Sequence, residues 1–97
     1  MNLPVPLSFD WDKGNIDKNW KRHKVFYREA EEAFLNNKLR TFPDPKHSSK
    51  KEKRYVAFGE TEKARKLTII FTLRNNKIRI VSARDQSRKE RKAYVKK

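Results

Sequence analysis

The chain contains no cysteine, which excludes disulfide cross-links, thiolate metal sites and thiol nucleophiles. Its only histidines are His23 and His47, with no close carboxylate cluster beside them, so a metal site finds little support. Long apolar runs are missing too. The longest, Leu67 to Leu73, is interrupted by Thr68 and falls far short of the ~20 residues that cross a bilayer. The opening MNLPVPLSF has neither a cationic start nor an apolar export segment, so a cytoplasmic protein without membrane attachment is expected. Acidic residues are scarce: 12 against 26 Lys and Arg, a formal net charge of +14. Such an excess opposes compaction and attracts polyanions, which puts nucleic acid first among partners. There are only two glycines, and 11% of residues are aromatic, a balance that favours a folded basic domain over a disordered basic tail.

With 97 residues there is room for one small core, so one domain over 1–97 is expected, with residues 1–8 as an extended lead-in around Pro4 and Pro6. Phe9 and Trp11 bracket Asp10 in the alternation of a short strand. Asp12 is placed to cap a helix over Asn15 to His23, with Ile16, Trp20 and His23 on one face and both tryptophans in the core. A second helix is expected from Arg28 to about Leu35; its Glu29, Glu31 and Glu32 make the one acidic patch. Pro43 to Lys53 reads as a surface loop.

Three strands follow, Arg54 to Gly59, Leu67 to Leu73 and Lys77 to Ala83, the last two joined by Asn75 and Asn76, which tolerate a tight hairpin turn. On the last strand Ile78 and Ile80 should meet the helices, with Arg79, Val81 and Ala83 on the other face. Ser87 and Glu90 have the spacing of a capping box for a helix over Arg88 to Val95. The class is therefore α+β: an antiparallel meander packed against two N-terminal helices, with a C-terminal helix.

Two basic runs flank the meander. The first holds Lys46, Lys50, Lys51, Lys53 and Arg54 against Glu52; the second holds Arg84, Arg88, Lys89, Arg91, Lys92, Lys96 and Lys97 against Asp85 and Glu90. Each could be no more than solvated surface. Together on a chain this cationic they suggest phosphate recognition, with Lys46, Lys50, Lys51, Lys53, Arg88, Arg91 and Lys92 as RNA-binding candidates.

RNA cleavage without a metal needs a base for the 2′-hydroxyl, cations for the phosphorane charge and an acid for the departing oxygen. Glu52 and His47 are candidate bases, and Arg54, Arg79 and Arg84 candidate charge stabilisers. Tyr94 could donate a proton or stack on a base. Plainer roles stand beside these: His47 exposed in a loop, Glu52 paired with a lysine, Tyr94 docking the last helix. A non-catalytic RNA- or DNA-binding module would use the same surface, and a scaffold would use the acidic second helix.

The ordered words of the chain resemble the BrnT-type ribonuclease toxins of bacterial type II toxin–antitoxin systems. They are Phe9-Asp10-Trp11-Asp12, Asn19, Arg22-His23-Lys24-Val25, Glu29-Ala30, Phe34, Asp44-Pro45-Lys46-His47-Ser48, Glu52 through Gly59, Arg79 through Arg84, Arg88, Glu90-Arg91 and Tyr94. The resemblance implies a RelE-like fold, metal-independent RNA cleavage that arrests translation, and no cofactor. It also implies a BrnA-like antitoxin with a ribbon-helix-helix portion, through which the complex binds its promoter DNA. Residue by residue it carries Arg54, Arg79, Arg84 and Tyr94 as catalytic, with Glu52 and His47 as possible bases. Where the family often has glycine this chain has Lys24, and where it often has a serine or threonine cap this chain has Phe26.

Overall fold

A computed structural model describes residues 3–96; Met1 and Asn2 of the lead-in and Lys97 of the second basic run lie outside it. The order is α1 (Lys13–His23), α2 (Tyr27–Leu35), β1 (Arg40–Pro43), β2 (Arg54–Glu60), β3 (Lys66–Arg74), β4 (Lys77–Asp85) and α3 (Arg88–Lys96). The strands form one antiparallel sheet in the order β1-β2-β3-β4, and the class is α+β.

Each boundary has a local cause. The Asp12 carboxylate accepts a hydrogen bond from the Asn15 amide, and Asn15 Oδ1 accepts one from the Asp12 amide, so α1 opens on a closed capping box. Asn75 and Asn76 both have positive φ, 52° and 61°, as a two-residue hairpin requires. Ser87 and Glu90 cap α3 reciprocally. The expected strand at Phe9 amounts to one parallel bridge to Ile78. β1 lies outside the expected strands: only Pro43 belongs to the expected loop, Arg40 to Phe42 carry no expected element, and pairing with β2 makes the four a strand.

One sheet face carries the core. Ala57, Leu67, Ile69, Phe71, Ile78, Ile80 and Ala83 pack there against Val25, Ala30, Ala33 and Phe34. α2 lies so close to β2 that a Cβ on Gly59 would stand 2.8 Å from that of Ala33, which fixes the glycine. Ala83 sits on this face and not, as simple alternation predicts, on the other. The register shifts as Ile70 pairs Ser82 and Phe71 pairs Ile80, leaving Val81 as an extra residue. That bulge reverses the side-chain order beyond it.

α1 also departs from its apolar reading. Its buried residues are Asn15 and Asn19, while Trp20 is 49% exposed; Trp11 is only partly buried against the core. The asparagines are inside because they seal the outer edge of β4. Asn15 Nδ2 donates to the Ile80 carbonyl, Lys18 Nζ to that of Val81, and Asn19 Oδ1 accepts from the Ala83 amide. Further along, Ile78 bonds to Ser8 and Asp10. An edge strand that would otherwise invite another chain is thus closed by side chains. The other sheet face stays open, partly covered by α3.

Candidate active site on the open sheet face

Arg54, Thr72 and Arg79 stand in register across β2, β3 and β4. They point away from the core, and two strand spacings put the arginine Cα atoms about 10 Å apart. A cleft of about 540 Å³ opens above this row, bordered by the N-terminus of α1. Five cations line it, Lys13, Lys18, Arg54, Arg74 and Arg79, against two carboxylates, Asp12 and Glu52.

Those carboxylates hold the arginines. Glu52 accepts from Arg74 Nη2 at 2.9 Å and from Arg54 Nε at 3.0 Å, and these guanidiniums keep its pKa below the ordinary glutamate value. Asp12 accepts from Arg79 Nη2 at 2.8 Å; its pKa is lowered first by the Asn15 amide and then by Arg79. Asp10 lies 3.5 Å from the same guanidinium. Each guanidinium is therefore preset against an oxyanion, and an RNA phosphate offers the same charge and bidentate geometry.

The 44–53 loop is fastened to this end of the sheet. The Asp44 amide donates to the Arg54 carbonyl, and Ser48 Oγ accepts from the Arg54 amide while donating to the Asp44 carbonyl. Buried Asp44 lies 2.6 Å from Nδ1 of His47, whose side chain is half exposed. A carboxylate there selects the tautomer protonated on Nδ1 and leaves Nε2 to accept a proton. Lys46, Lys50, Lys51 and Lys53 are exposed along the same loop.

The remaining candidates stand elsewhere. A regular strand would put Arg79 and Arg84 on opposite faces; the bulge at Val81 puts them on the same one. They are not together, however. Their β3 partners, Thr72 and Thr68, are four residues apart, about 13 Å along the strand. Arg84 is engaged by both carboxylate oxygens of Glu90, at 2.8 and 2.9 Å, and Glu90 also accepts from Thr68. Arg84 foremost pulls the Glu90 pKa down to about 2.

Tyr94 is buried under α3, edge-on to Phe58, with its hydroxyl enclosed and unpartnered among the described residues. Burial foremost, and then the charge of Glu60, push its pKa up. Arg88, Arg91 and Lys92 line a separate depression with Lys66 beside α3. The two basic runs thus occupy opposite ends of the sheet. Arg74, Lys18 and Asp12 are cleft residues that sequence reasoning did not assign. Only Asp12 carried a signal, its capping position.

The fold and the cleft define a small, basic α+β protein with paired arginines on an open sheet face. The family model described as the ribonuclease toxin BrnT of type II toxin–antitoxin systems matches residues 11–90, and the chain belongs to that family. It is accordingly a ribonuclease toxin with RNA as its target and an antitoxin as its protein partner. Comparison with individual curated proteins finds no match. The matched span holds the whole cleft and ends at Glu90, before Arg91, Lys92 and Tyr94. Among the described residues no helix is long and apolar enough to cross a membrane.

Proposed function

We propose that this chain is a metal-independent endoribonuclease, acting as one domain in the cytoplasm, that arrests translation by cutting RNA at the Arg54–Thr72–Arg79 row. The observation that carries the reading is the placement of two guanidiniums on neighbouring sides of one threonine, in a cleft with an excess of cations. The scissile phosphate sits between Arg54 and Arg79. The 2′-hydroxyl of the preceding nucleotide loses its proton to a base and attacks phosphorus. The two arginines take up the charge that grows on the non-bridging oxygens. The P–O5′ bond then breaks, and the leaving oxygen takes a proton from water while the base returns its own to water, giving a 2′,3′-cyclic phosphate and a 5′-hydroxyl.

Glu52 is the base within the cleft. With Arg54 and Arg74 against it, its proton affinity is low. A phosphate that takes over those guanidiniums releases the carboxylate and raises its affinity for the proton. His47, oriented by Asp44, is the second candidate; a Glu52→Gln variant that keeps the rate and its pH dependence assigns the step to His47. Arg84 and Tyr94 serve α3 and the far end of the RNA track, where Arg88, Arg91 and Lys92 hold flanking phosphates. The loop lysines Lys46, Lys50, Lys51 and Lys53 hold those on the other side.

The antitoxin is of the BrnA kind, with a ribbon-helix-helix portion through which the complex reaches its promoter. The experiment is incubation of purified chain with RNA in excess EDTA. Fragments ending in 2′,3′-cyclic phosphate are expected. Intact RNA that binds with strong salt dependence would replace the nuclease with a non-catalytic binding module.

A further inference from the structure

The corner between α1 and α2 is built against local preference. Lys24 occupies the C-cap of α1 with φ 54°, a left-handed conformation that glycine adopts without steric cost. Phe26 occupies the N-cap of α2. Its amide donates to Glu29, but the ring has no oxygen to return to the helix amides, as a serine or threonine would. Both side chains converge on Trp20: the Lys24 ammonium stands 5.3 Å from the centre of the indole, and the Phe26 ring lies edge-on at 6.5 Å. Trp20 and Phe26 remain 49% and 46% exposed. Two residues unsuited to their backbone positions therefore combine to make a surface aromatic group crowned by a cation.

Unfavourable local choices gather where a molecule serves something other than its own stability. Paired exposed aromatics are the usual anchors of protein interfaces. The corner also faces away from the cleft: Lys18 lines the cleft, and Trp20, two residues further along α1, does not share its helix face. The corner abuts the turn between β2 and β3, where Arg65 donates to the Lys24 carbonyl, whereas Arg54 begins β2. The seven residues of β2 separate the two ends by about 20 Å.

We propose that the Trp20–Lys24–Phe26 corner is an anchor site for the antitoxin, resting on the family's type II character. The partner segment places an apolar side chain against Trp20 and Phe26 and a carboxylate on Lys24. Exposed Lys21, Arg22 and Arg28 surround the corner against Asp17, one turn before Trp20, while Glu29 is engaged by Arg65 and Glu31 by Trp11, so the balance of charge favours an acidic segment. Single-stranded RNA also stacks on aromatics. These rings, however, meet edge to face with one face of the indole taken by Lys24, and offer no parallel platform for successive bases.

The test uses the full chain and its cognate antitoxin. Trp20→Ala/Phe26→Ala should weaken binding by about thirtyfold or more, with RNA cleavage unchanged. Lys24→Gly/Phe26→Ser relieves both local conflicts, so it should raise the thermal midpoint while still weakening the complex. A merely structural corner could not produce that opposition. Unchanged antitoxin affinity in both folded variants overturns the proposal. So does a loss of RNA affinity without loss of antitoxin binding, which assigns the corner to RNA, or a shift from dimer to monomer of the toxin alone, which assigns it to a second copy. Because the readout is binding, it stands even if the nuclease reading fails.

Discussion

Arg79 and Asp12 are joined across the mouth of the cleft, guanidinium Nη2 to carboxylate Oδ2 at 2.8 Å, and the same Asp12 caps α1. One side chain thereby sets the start of a helix and the aim of the arginine proposed to bind phosphate. The two roles separate chemically, since a hydroxyl can cap but cannot hold a guanidinium by charge.

Asp12→Ser should keep the fold, with the thermal midpoint within a few degrees of the parent, because Ser is a cap of similar quality. RNA cleavage should fall by up to about a hundredfold, the size of a misplaced catalytic contact. Cleavage at the parental rate would show that Arg79 needs no positioning by Asp12.

Gly59 is fixed by the approach of α2. A methyl there would stand 2.8 Å from Ala33 Cβ and 3.1 Å from its carbonyl oxygen. Gly59→Ala should cost about 1–3 kcal/mol. For a domain of this size the thermal midpoint should fall by about 5–15 °C. Gly14→Ala meets only the Asp12 carboxylate, at 3.2 Å, and should change it far less.

Glu90 ties α3 to the sheet through Arg84, and its folded pKa of about 2 lies below the ordinary value of 4.5. A lowered carboxylate pKa stabilises the fold above the unfolded value and loses that contribution as pH falls through the folded one. The loss therefore falls between about pH 4.5 and 2. Arg84 is 41% exposed, so solvent screening limits the effect to about 1–2 kcal/mol. Thermal melts of the parent and Glu90→Gln should differ at pH 6 and converge near pH 2. A constant difference at both would remove the ion pair from α3 docking.

Much of this architecture can be read along the chain, and its gaps have physical causes. Asp12, Ser87, Glu90 and the Asn75-Asn76 pair are local signals acting on their own neighbours, and the elements they mark are present. β1 was hidden because Arg40 to Pro43 has no strand signal apart from its distant partner β2. Asn15 and Asn19 were passed over for Ile16 and Trp20 because apolar periodicity cannot see a helix whose task is to satisfy the edge of β4. At the cleft, Arg54, Arg79 and Glu52 were singled out by residue type and neighbourhood. That Arg84 stands apart depends on strand register, and its facing on the Val81 bulge; neither is written in local sequence.

Single-turnover cleavage of an RNA oligonucleotide in excess EDTA, compared among Arg54→Ala, Arg79→Ala and Arg84→Ala, tests the paired-arginine cleft most directly. Loss of either flanking guanidinium should slow cleavage by about a hundredfold or more. Arg84→Ala, removing a group about 13 Å along the strand from that row, should slow it by less than about tenfold. Equal losses in all three, or a loss confined to Arg84→Ala, would contradict a reaction centred on Arg54 and Arg79.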